Sequence, residues 1–578
     1  VKPSAFTTAV PTSLPRPGAA AWPSVLAALR VRWLALYAFA VCWFSTPGFR
    51  TLISPDEGRY AEIAREMLNS GDWITPRLNG IKYFEKPPLQ YWMTAGSFRI
   101  FGENEFAARF WPALTGFAAV LMVWVTLRRL LRNDPHGETQ AWGGAAVLAS
   151  CAWWVGSGHF LTLDMGVTAF LTLALCSFVW AQQDDATPRE NSTGMLVAWV
   201  AMALAMLSKG LIGLLIPAAA LFIYSVLMRD WHLWKRLHLA KGLALFTVIA
   251  APWFVLVSQR NPEFAQFFFV HEHLQRYATH EASRVQPWFF FIPILVGGVL
   301  PWAALLPAAW REGISNTVRQ QQGAQGFNTS RFLLIYSAFV FVFFSISGSK
   351  LPAYILPMFP SVVMLMAPAI SRIGRRTGWA LVITQALVGL IALIGAPILA
   401  SHSSDPQIAT SDAQYSYWLY ATAAVALLGA GVAGWMHRRH LRSGMVAALA
   451  LSGLVSGQLP LLGYDAYAGH TSSRAMVQVL RPHLRADSTM YSVRTWDQTL
   501  PFYLKQNVQL VEYVDEFKLG QTSEPDKQMS LEQFEQRWRT DPAPLALVQP
   551  DTWQLLEKHN VPMQVVYRDR KRLVIARP

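Results

Sequence analysis

Apolar runs of about 20 residues, the length that spans a bilayer core, recur along this chain from residue 30 to residue 464. Composition points the same way. The 578 residues are 53% hydrophobic and only 15% charged, against about 25% charge in soluble domains. The expected fold is a polytopic α-helical membrane protein. About thirteen candidate spans, counted by apolar length, lie near 30–47, 105–127, 139–157, 160–182, 193–207, 209–228, 238–258, 287–309, 330–347, 352–370, 377–400, 415–436 and 442–464.

The formal net charge of +14 would suit nucleic acid, but its placement argues for a membrane. Arg30 and Arg32 precede the first span, and Arg128, Arg129 and Arg132 follow the second. Arg229, Lys235, Arg236 and Lys241 lie between the sixth and seventh, Arg372, Arg375 and Arg376 follow the tenth, and Arg438, Arg439 and Arg442 follow the twelfth. With thirteen spans all these groups fall on one face, which the positive-inside rule makes cytoplasmic and which suits anionic lipid. The opposite face then receives loops 48–104 and 259–286 and the whole C-terminus. Cys42, Cys151 and Cys176 sit inside apolar runs without metal or CxxC spacing, and read as packing residues.

Residues 1–23 are rich in Pro, Ala and Ser and lack the pattern of a cleaved signal. The reading is a flexible cytoplasmic tail (1–29) before a membrane domain (30–464). From 465 to 578 charges become frequent. Strand-like pieces at 490–493, 510–514, 545–548, 564–567 and 573–576 alternate with helix-like pieces at 473–485, 497–505, 530–539 and 551–559. That alternation predicts a small soluble α/β domain with a largely parallel sheet.

The loop after the first span is the polar centre of the chain: SPDEGRYAEIAREMLNSGDWITPRLNGIKYFEKPPLQY, residues 54–91. Ser54, Pro55 and Glu57 have the form of a capped helix start. Tyr60, Ile63, Ala64, Met67 and Leu68 repeat at helical spacing, which predicts an amphipathic helix on the membrane surface. Glu57 then reads first as a capping residue. Asp56 is not needed for the box and is either a dipole-favoured surface carboxylate or a chemical group. Lys86 is pushed toward an extended conformation by Pro87, so Glu85 and Lys86 would point to opposite sides. Pro88 can start a second surface helix, 88–101. The pair is either a solvated charge pair or a lysine for a phosphate beside a carboxylate for a metal, amine or hydroxyl.

The motifs SPDEGRYAEIAREML, GDWITPRLNGIKYFEKPPLQYW and SGSKLPAYILPMFP resemble those of the lipid A aminoarabinose transferases. These are members of the GT-C superfamily of membrane glycosyltransferases, related to the protein O-mannosyltransferases. The resemblance covers the membrane region. It implies transfer of 4-amino-4-deoxy-L-arabinose from undecaprenyl phosphate to a lipid A phosphate at the periplasmic face of a bacterial inner membrane. The product confers resistance to polymyxin and other cationic peptides. It further implies an inverting pentosyltransferase that uses no nucleotide and acts as a monomer. By resemblance the catalytic carboxylates fall on Asp56 and Asp164. The donor phosphate ligands fall on Lys86, Arg276 and Tyr354, and cavity positions on Tyr60, Tyr83 and Lys209, with Glu57 carried beside them. A divalent metal, zinc or another, would fall on Glu85 and His271.

Each transferred residue has a bland alternative. Asp164 at a span mouth is costly unless it faces a wet cavity or a partner. Lys209 can snorkel to the interface. Arg276 can pair with Glu272 at i,i+4, although arginine also suits bidentate phosphate binding. His271 can be an interfacial histidine, and one His with one Glu is a weak metal signal. Tyr354, Tyr83 and Tyr60 can belong to an aromatic belt. Two other activities remain as alternatives. One is a protein O-mannosyltransferase-like enzyme using a polyprenyl-linked hexose. The other is a lipid flippase or transporter, which predicts inverted repeats and broken mid-membrane helices.

Overall fold

The computed structural model describes residues 22–275, 286–315, 326–403, 405–485 and 487–578. Helix α1 (Trp22–Phe44) belongs to one compact unit, which ends at Ser45, and Thr46–Pro578 forms the other. The second unit begins with the polar loop. Helix α2 (Asp56–Ser70) leads into a two-stranded hairpin, β1 (Arg77–Leu78) and β2 (Ile81–Lys82), and then into α3 (Leu89–Phe101). Gly71 ends α2 in the left-handed region, where a Cβ would be strained.

The membrane helices follow: α4 (Glu105–Leu130), α5 (Gly137–Ser150), α6 (Ala152–Gly158), α7 (Leu163–Ala181), α8 (Pro188–Lys209), α9 (Ile212–Met228) and α10 (Leu239–Arg260), then further helices to Gly463. Local chemistry sets several starts. Asn104 caps α4 through the Ala107 N–H at 2.9 Å. Thr187 and Glu190 close a capping box before α8, with Pro188 at the first position. Lipid-facing character persists where no protein neighbour exists: Ile383, Leu387, Ile391, Ile394 and Ile398 on the Arg375–Ala400 helix are all exposed.

Among the described residues nine helices are long and apolar enough to cross a membrane, or ten if the pair Phe291–Gly298 and Ala303–Ile314, bent by 107°, is one span. The count of about thirteen is therefore not reproduced, although every run expected to span contains helix. The 139–157 run is the clearest reason: it breaks at Cys151 into α5 and α6.

The C-terminal segment contains a five-stranded sheet of order β4-β3-β5-β7-β6. Its strands are β3 (Met490–Val493), β4 (Gln509–Val511), β5 (Leu545–Val548), β6 (Gln564–Arg568) and β7 (Leu573–Ala576). β3 pairs parallel with β4 and β5, whereas β7 pairs antiparallel with β5 and β6. The expectation of a largely parallel sheet is corrected to a mixed one. The β6–β7 connection is too short for a crossover helix, which a parallel pair requires.

This segment packs on the polar loop. Asn79 exchanges two hydrogen bonds with the Val508 backbone, both 2.7 Å. Arg77 pairs with Glu524 at 3.0 Å, and the Leu52 N–H donates to the Tyr503 hydroxyl at 2.8 Å. Phe502, Leu510 and Phe517 join one apolar cluster with Tyr60, Ile63, Met67, Tyr83 and Tyr91. Helix α2 is thus covered rather than laid open on a membrane surface. Glu57, Glu62 and Arg65 are buried along with its apolar residues.

Candidate active site

Two consecutive residues open α2, about 100° apart around its axis, and enter opposite surroundings. Glu57 turns inward and is 2% exposed. Arg50 donates to its carboxylate at 2.9 and 3.1 Å, and Arg109 of α4 at 2.7 and 2.8 Å. The N–H groups of Ile53 and Leu161 add two bonds at 3.0 Å. Burial opposes the charge, but Arg109 and Arg50 outweigh it and hold the carboxyl down at about 2. These donors exhaust what one carboxylate can accept. The capping-box and cavity expectations for Glu57 are both corrected. No side chain caps α2, Ser54 turns its hydroxyl to Gln498 at 2.5 Å, and Glu57 clasps the loop, α4 and the turn before α7.

Asp56 turns outward, its side chain 48% exposed, with Arg59 Nη1 at 3.4 Å from Oδ1. Arg59 is itself largely buried. Its Nε stands 2.7 Å from Glu516 of the C-terminal segment, and its guanidinium lies 5.9 Å from the Tyr83 ring centroid. The Arg59 charge interacts with Tyr60, Tyr83 and Tyr91. Burial pushes all three phenols up; the Glu85 charge adds to each shift, and the Asp56 charge adds to those of Tyr60 and Tyr91. They are therefore neutral donors at physiological pH. The Tyr83 and Tyr91 hydroxyls are buried without a hydrogen-bond partner among the described residues. Buried polar groups are rarely left unpaired, so these two are well placed to serve a bound polar group.

A second constellation forms where α7 and α8 meet. The Asn191 amide near the start of α8 donates to the Ala181 carbonyl at the end of α7 at 2.9 Å, so the two helices run antiparallel and the N-terminus of one shares an end of the bundle with the C-terminus of the other. Asp164 lies in the first turn of α7 and Lys209 in the last turn of α8, each favoured by its helix dipole. They form a close ion pair, each 15% exposed. The Lys209 ammonium also lies 4.9 Å from the Tyr354 ring centroid, on the 3-10 turn Pro352–Met358. Asp164, Lys209 and Tyr354, 190 residues apart at the extremes, are brought together.

Lys86 belongs to the strip that joins the β1–β2 hairpin to α3. The strip at 85–86 bends rather than extends, and the Lys86 ammonium donates to the Glu85 carbonyl at 2.8 Å. Leu163 packs with Tyr60, Tyr83 and Tyr91, and Leu207 packs with Phe84 and Leu89. The ends of α7 and α8 thus abut the 83–91 strip. Arg276 lies outside the described residues, as does the His271 side chain, although the backbone of His271 belongs to the π-helix Gln266–Gln275. For the metal, no group of three or more His, Cys, Asp or Glu side chains among the described residues could hold an ion. The Glu85 charge acts on Arg59 and the three phenols.

Comparison with known proteins places this geometry. Residues 476–577 match the family described as aminoarabinose transferase C-terminal domain, and residues 30–268 match dolichyl-phosphate-mannose-protein mannosyltransferase. The undecaprenyl phosphate-alpha-4-amino-4-deoxy-L-arabinose arabinosyl transferase of Edwardsiella ictaluri (strain 93-146) is 32% identical over 478 residues, 80% of this chain and 82% of that protein. The chain belongs to the aminoarabinose transferase family. Its counterpart in Enterobacter sp. (strain 638) is 31% identical over 472 residues, 78% of this chain and 79% of that one. The crystal structure of ArnT from Cupriavidus metallidurans bound to undecaprenyl phosphate superposes with a TM-score of 0.87 at 35% identity, covering 94% of this chain and 97% of that one. The fold is the GT-C fold of membrane glycosyltransferases.

Three further groups belong to this site: Arg59, Tyr91 and Glu516. Arg59 carried a signal, since i,i+3 from Asp56 places it on the same helix face. Tyr91 carried a weaker one, lying among the aromatics of the 83–92 stretch. Glu516 carried none, because its contact with Arg59 crosses the chain from a separate segment.

Proposed function

We propose that this chain moves 4-amino-4-deoxy-L-arabinose from undecaprenyl phosphate to a lipid A phosphate on the outer face of a bacterial inner membrane. The observation that carries the reading is the match along nearly the whole chain to a transferase of known fold bound to undecaprenyl phosphate. The cations and hydroxyls gathered at one end of the bundle fit it. The periplasmic orientation rests on the arginine-rich loops at the other end of the bundle, where Arg129 pairs with Asp185 and Arg442 donates to the Ser371 carbonyl; the positive-inside rule makes that end cytoplasmic. On that side no nucleotide sugar is at hand, which favours a lipid-linked donor. Added amine on lipid A lowers outer-membrane negative charge and so gives resistance to polymyxin.

In the reaction an acceptor phosphate oxygen attacks the anomeric carbon. The bond from that carbon to the donor phosphate oxygen breaks, and undecaprenyl phosphate leaves with the electron pair. One displacement inverts the anomeric centre. Negative charge grows on the leaving phosphate, so cations there stabilise the transition state more than the ground state. Lys86 and Arg276 take that role, with the Tyr354 hydroxyl as a neutral donor. A phosphate monoester has a second pKa near 6 and is already a nucleophile at neutral pH. Asp56 therefore need not act as a base. It orients the acceptor or pairs with the sugar's ammonium and the electron-poor anomeric carbon. Asp164 holds Lys209 at the floor of the same region.

Mass spectrometry of lipid A from cells with and without the protein tests the reading. A gain of one aminopentose supports it, and an unchanged lipid A contradicts it. The mannosyltransferase match over residues 30–268 favours a second reading, in which a hexose passes to Ser or Thr and Asp56 is a true general base. Transfer to a peptide acceptor by the purified protein, with none to lipid A, would select that reading.

A further inference from the structure

Arg59 stands between two carboxylates of different origin. Asp56 lies on its own helix turn, and Glu516 is carried in by the C-terminal segment. The distances are unequal: 2.7 Å from Nε to Glu516 and 3.4 Å from Nη1 to Asp56. So are the exposures, because the Glu516 side chain is 7% exposed and that of Asp56 48%. Glu516 is held in turn. The Gln498 amide donates to its Oε1 at 2.9 Å, and the Gln498 carbonyl accepts from Ser54 at 2.5 Å, immediately before the helix that carries Asp56. The seam has no slack, for a Cβ on Gly58 would lie 2.6 Å from the Gln498 backbone. Phe517, next to Glu516, is packed in the cluster that holds Tyr60, Tyr83 and Tyr91.

We infer that Glu516 is a positioning residue for transfer: it draws the Arg59 guanidinium away from Asp56, so that the Asp56 carboxylate stays open to the reacting groups. The inference rests on the proposed role of Asp56. Its physical basis is the shape of arginine. A guanidinium prefers to bind one carboxylate through two parallel N–H bonds, and five N–H donors in a rigid fork permit that geometry with either partner. With Glu516 charged and fixed, the Nε edge is held 2.7 Å from Glu516 as an ion pair whose angle makes no hydrogen bond, and Asp56 receives one long contact. With Glu516 neutral, the fork is released to close on Asp56, which is then neutralised and turned from the reacting groups. On this account the C-terminal segment is part of the site: it supplies no group to the substrates, yet it sets which partner Arg59 takes.

The test is a double-mutant cycle on the full chain, reading kcat and KM for lipid A transfer, donor affinity and thermal melting. Glu516→Gln is expected to lower kcat about tenfold or more, a loss of transition-state stabilisation, with donor affinity within about twofold. In an Arg59→Gln background the same Glu516→Gln change is expected to cost nothing further, because no guanidinium remains to be redirected. An equal kcat loss in both backgrounds, or no loss in either, overturns the inference. Should Glu516→Gln fail to fold, Gln498→Met removes the amide that fixes Glu516 and leaves the charges in place. It is expected to lower kcat several-fold, and an unchanged kcat overturns the inference. Asp56→Asn in parallel separates the two claims. If it transfers at the full rate, the reading of Asp56 fails. If it is inactive while Glu516→Gln is normal, only the positioning role fails.

Discussion

Asp56 and Glu57 are neighbours in sequence, share one charge type, and begin the same helix. One faces outward, half exposed, beside an arginine whose Nε stands 2.7 Å from Glu516. The other is sealed among two arginines and two backbone N–H groups. A carboxylate saturated with donors has nothing left to offer a substrate, and its energy is spent on holding segments together. A carboxylate with one long contact keeps its acceptor capacity for something that arrives. Residue type does not separate these roles; the number and reach of the partners do.

The largest effect should come from breaking the sealed side. Glu57→Gln leaves Arg50 and Arg109 buried without their counter-charge, at a cost of about 3–5 kcal/mol, read as a large fall in melting temperature with activity lost through folding. The same side has a pH signature. Glu57 has a folded pKa of about 2, below the ordinary value of about 4.3. Its contribution is therefore present above that ordinary value and lost as pH falls through about 2. Wild type should lose stability on that acid limb, and Glu57→Gln should lack it.

A smaller effect is expected on the open side at Lys86. Lys86→Ala should weaken binding of undecaprenyl phosphate by about 1.5–3 kcal/mol, roughly 10- to 150-fold, with melting unchanged. Titration of the variant with the lipid checks this, and unchanged affinity would remove Lys86 from the donor site. The smallest effect concerns Glu66, the fourth carboxylate of the same helix. Burial, with Glu62 adding to it, pushes Glu66 up to about 8, although the Gly80 N–H works against the shift. Here the folded value lies above the unfolded one, so the contribution is full below about 4.3 and is lost as pH rises through the folded value. Melting should fall as pH is raised toward 8, and Glu66→Gln should flatten that slope.

Much of the fold was legible in the sequence because its signals are local. Apolar runs long enough to span mark the helices. The strands Met490–Val493, Leu545–Val548 and Leu573–Ala576 agree residue for residue with the short apolar runs that foretold them, because all three are fully buried. What escaped is what depends on distant partners. Ser54 has the chemistry of a cap, but Gln498 takes its hydroxyl. The α2 helix looks like a surface helix until the C-terminal segment covers it. Asp164, Lys209 and Tyr354 converge because antiparallel helix ends share a level, which spacing along the chain does not reveal. The antiparallel half of the C-terminal sheet was missed because strand spacing alone does not fix pairing direction.

The central claim is that adjacent carboxylates divide the work, Asp56 serving transfer and Glu57 serving the fold. The direct measurement is single-turnover transfer to lipid A by Asp56→Asn, with donor affinity and melting recorded on the same preparation. The account predicts that transfer is almost abolished while donor affinity is kept and stability stays within about 0.5 kcal/mol of wild type, as for a surface substitution. Transfer at the wild-type rate would contradict it and would reduce Asp56 to a charge at a helix end.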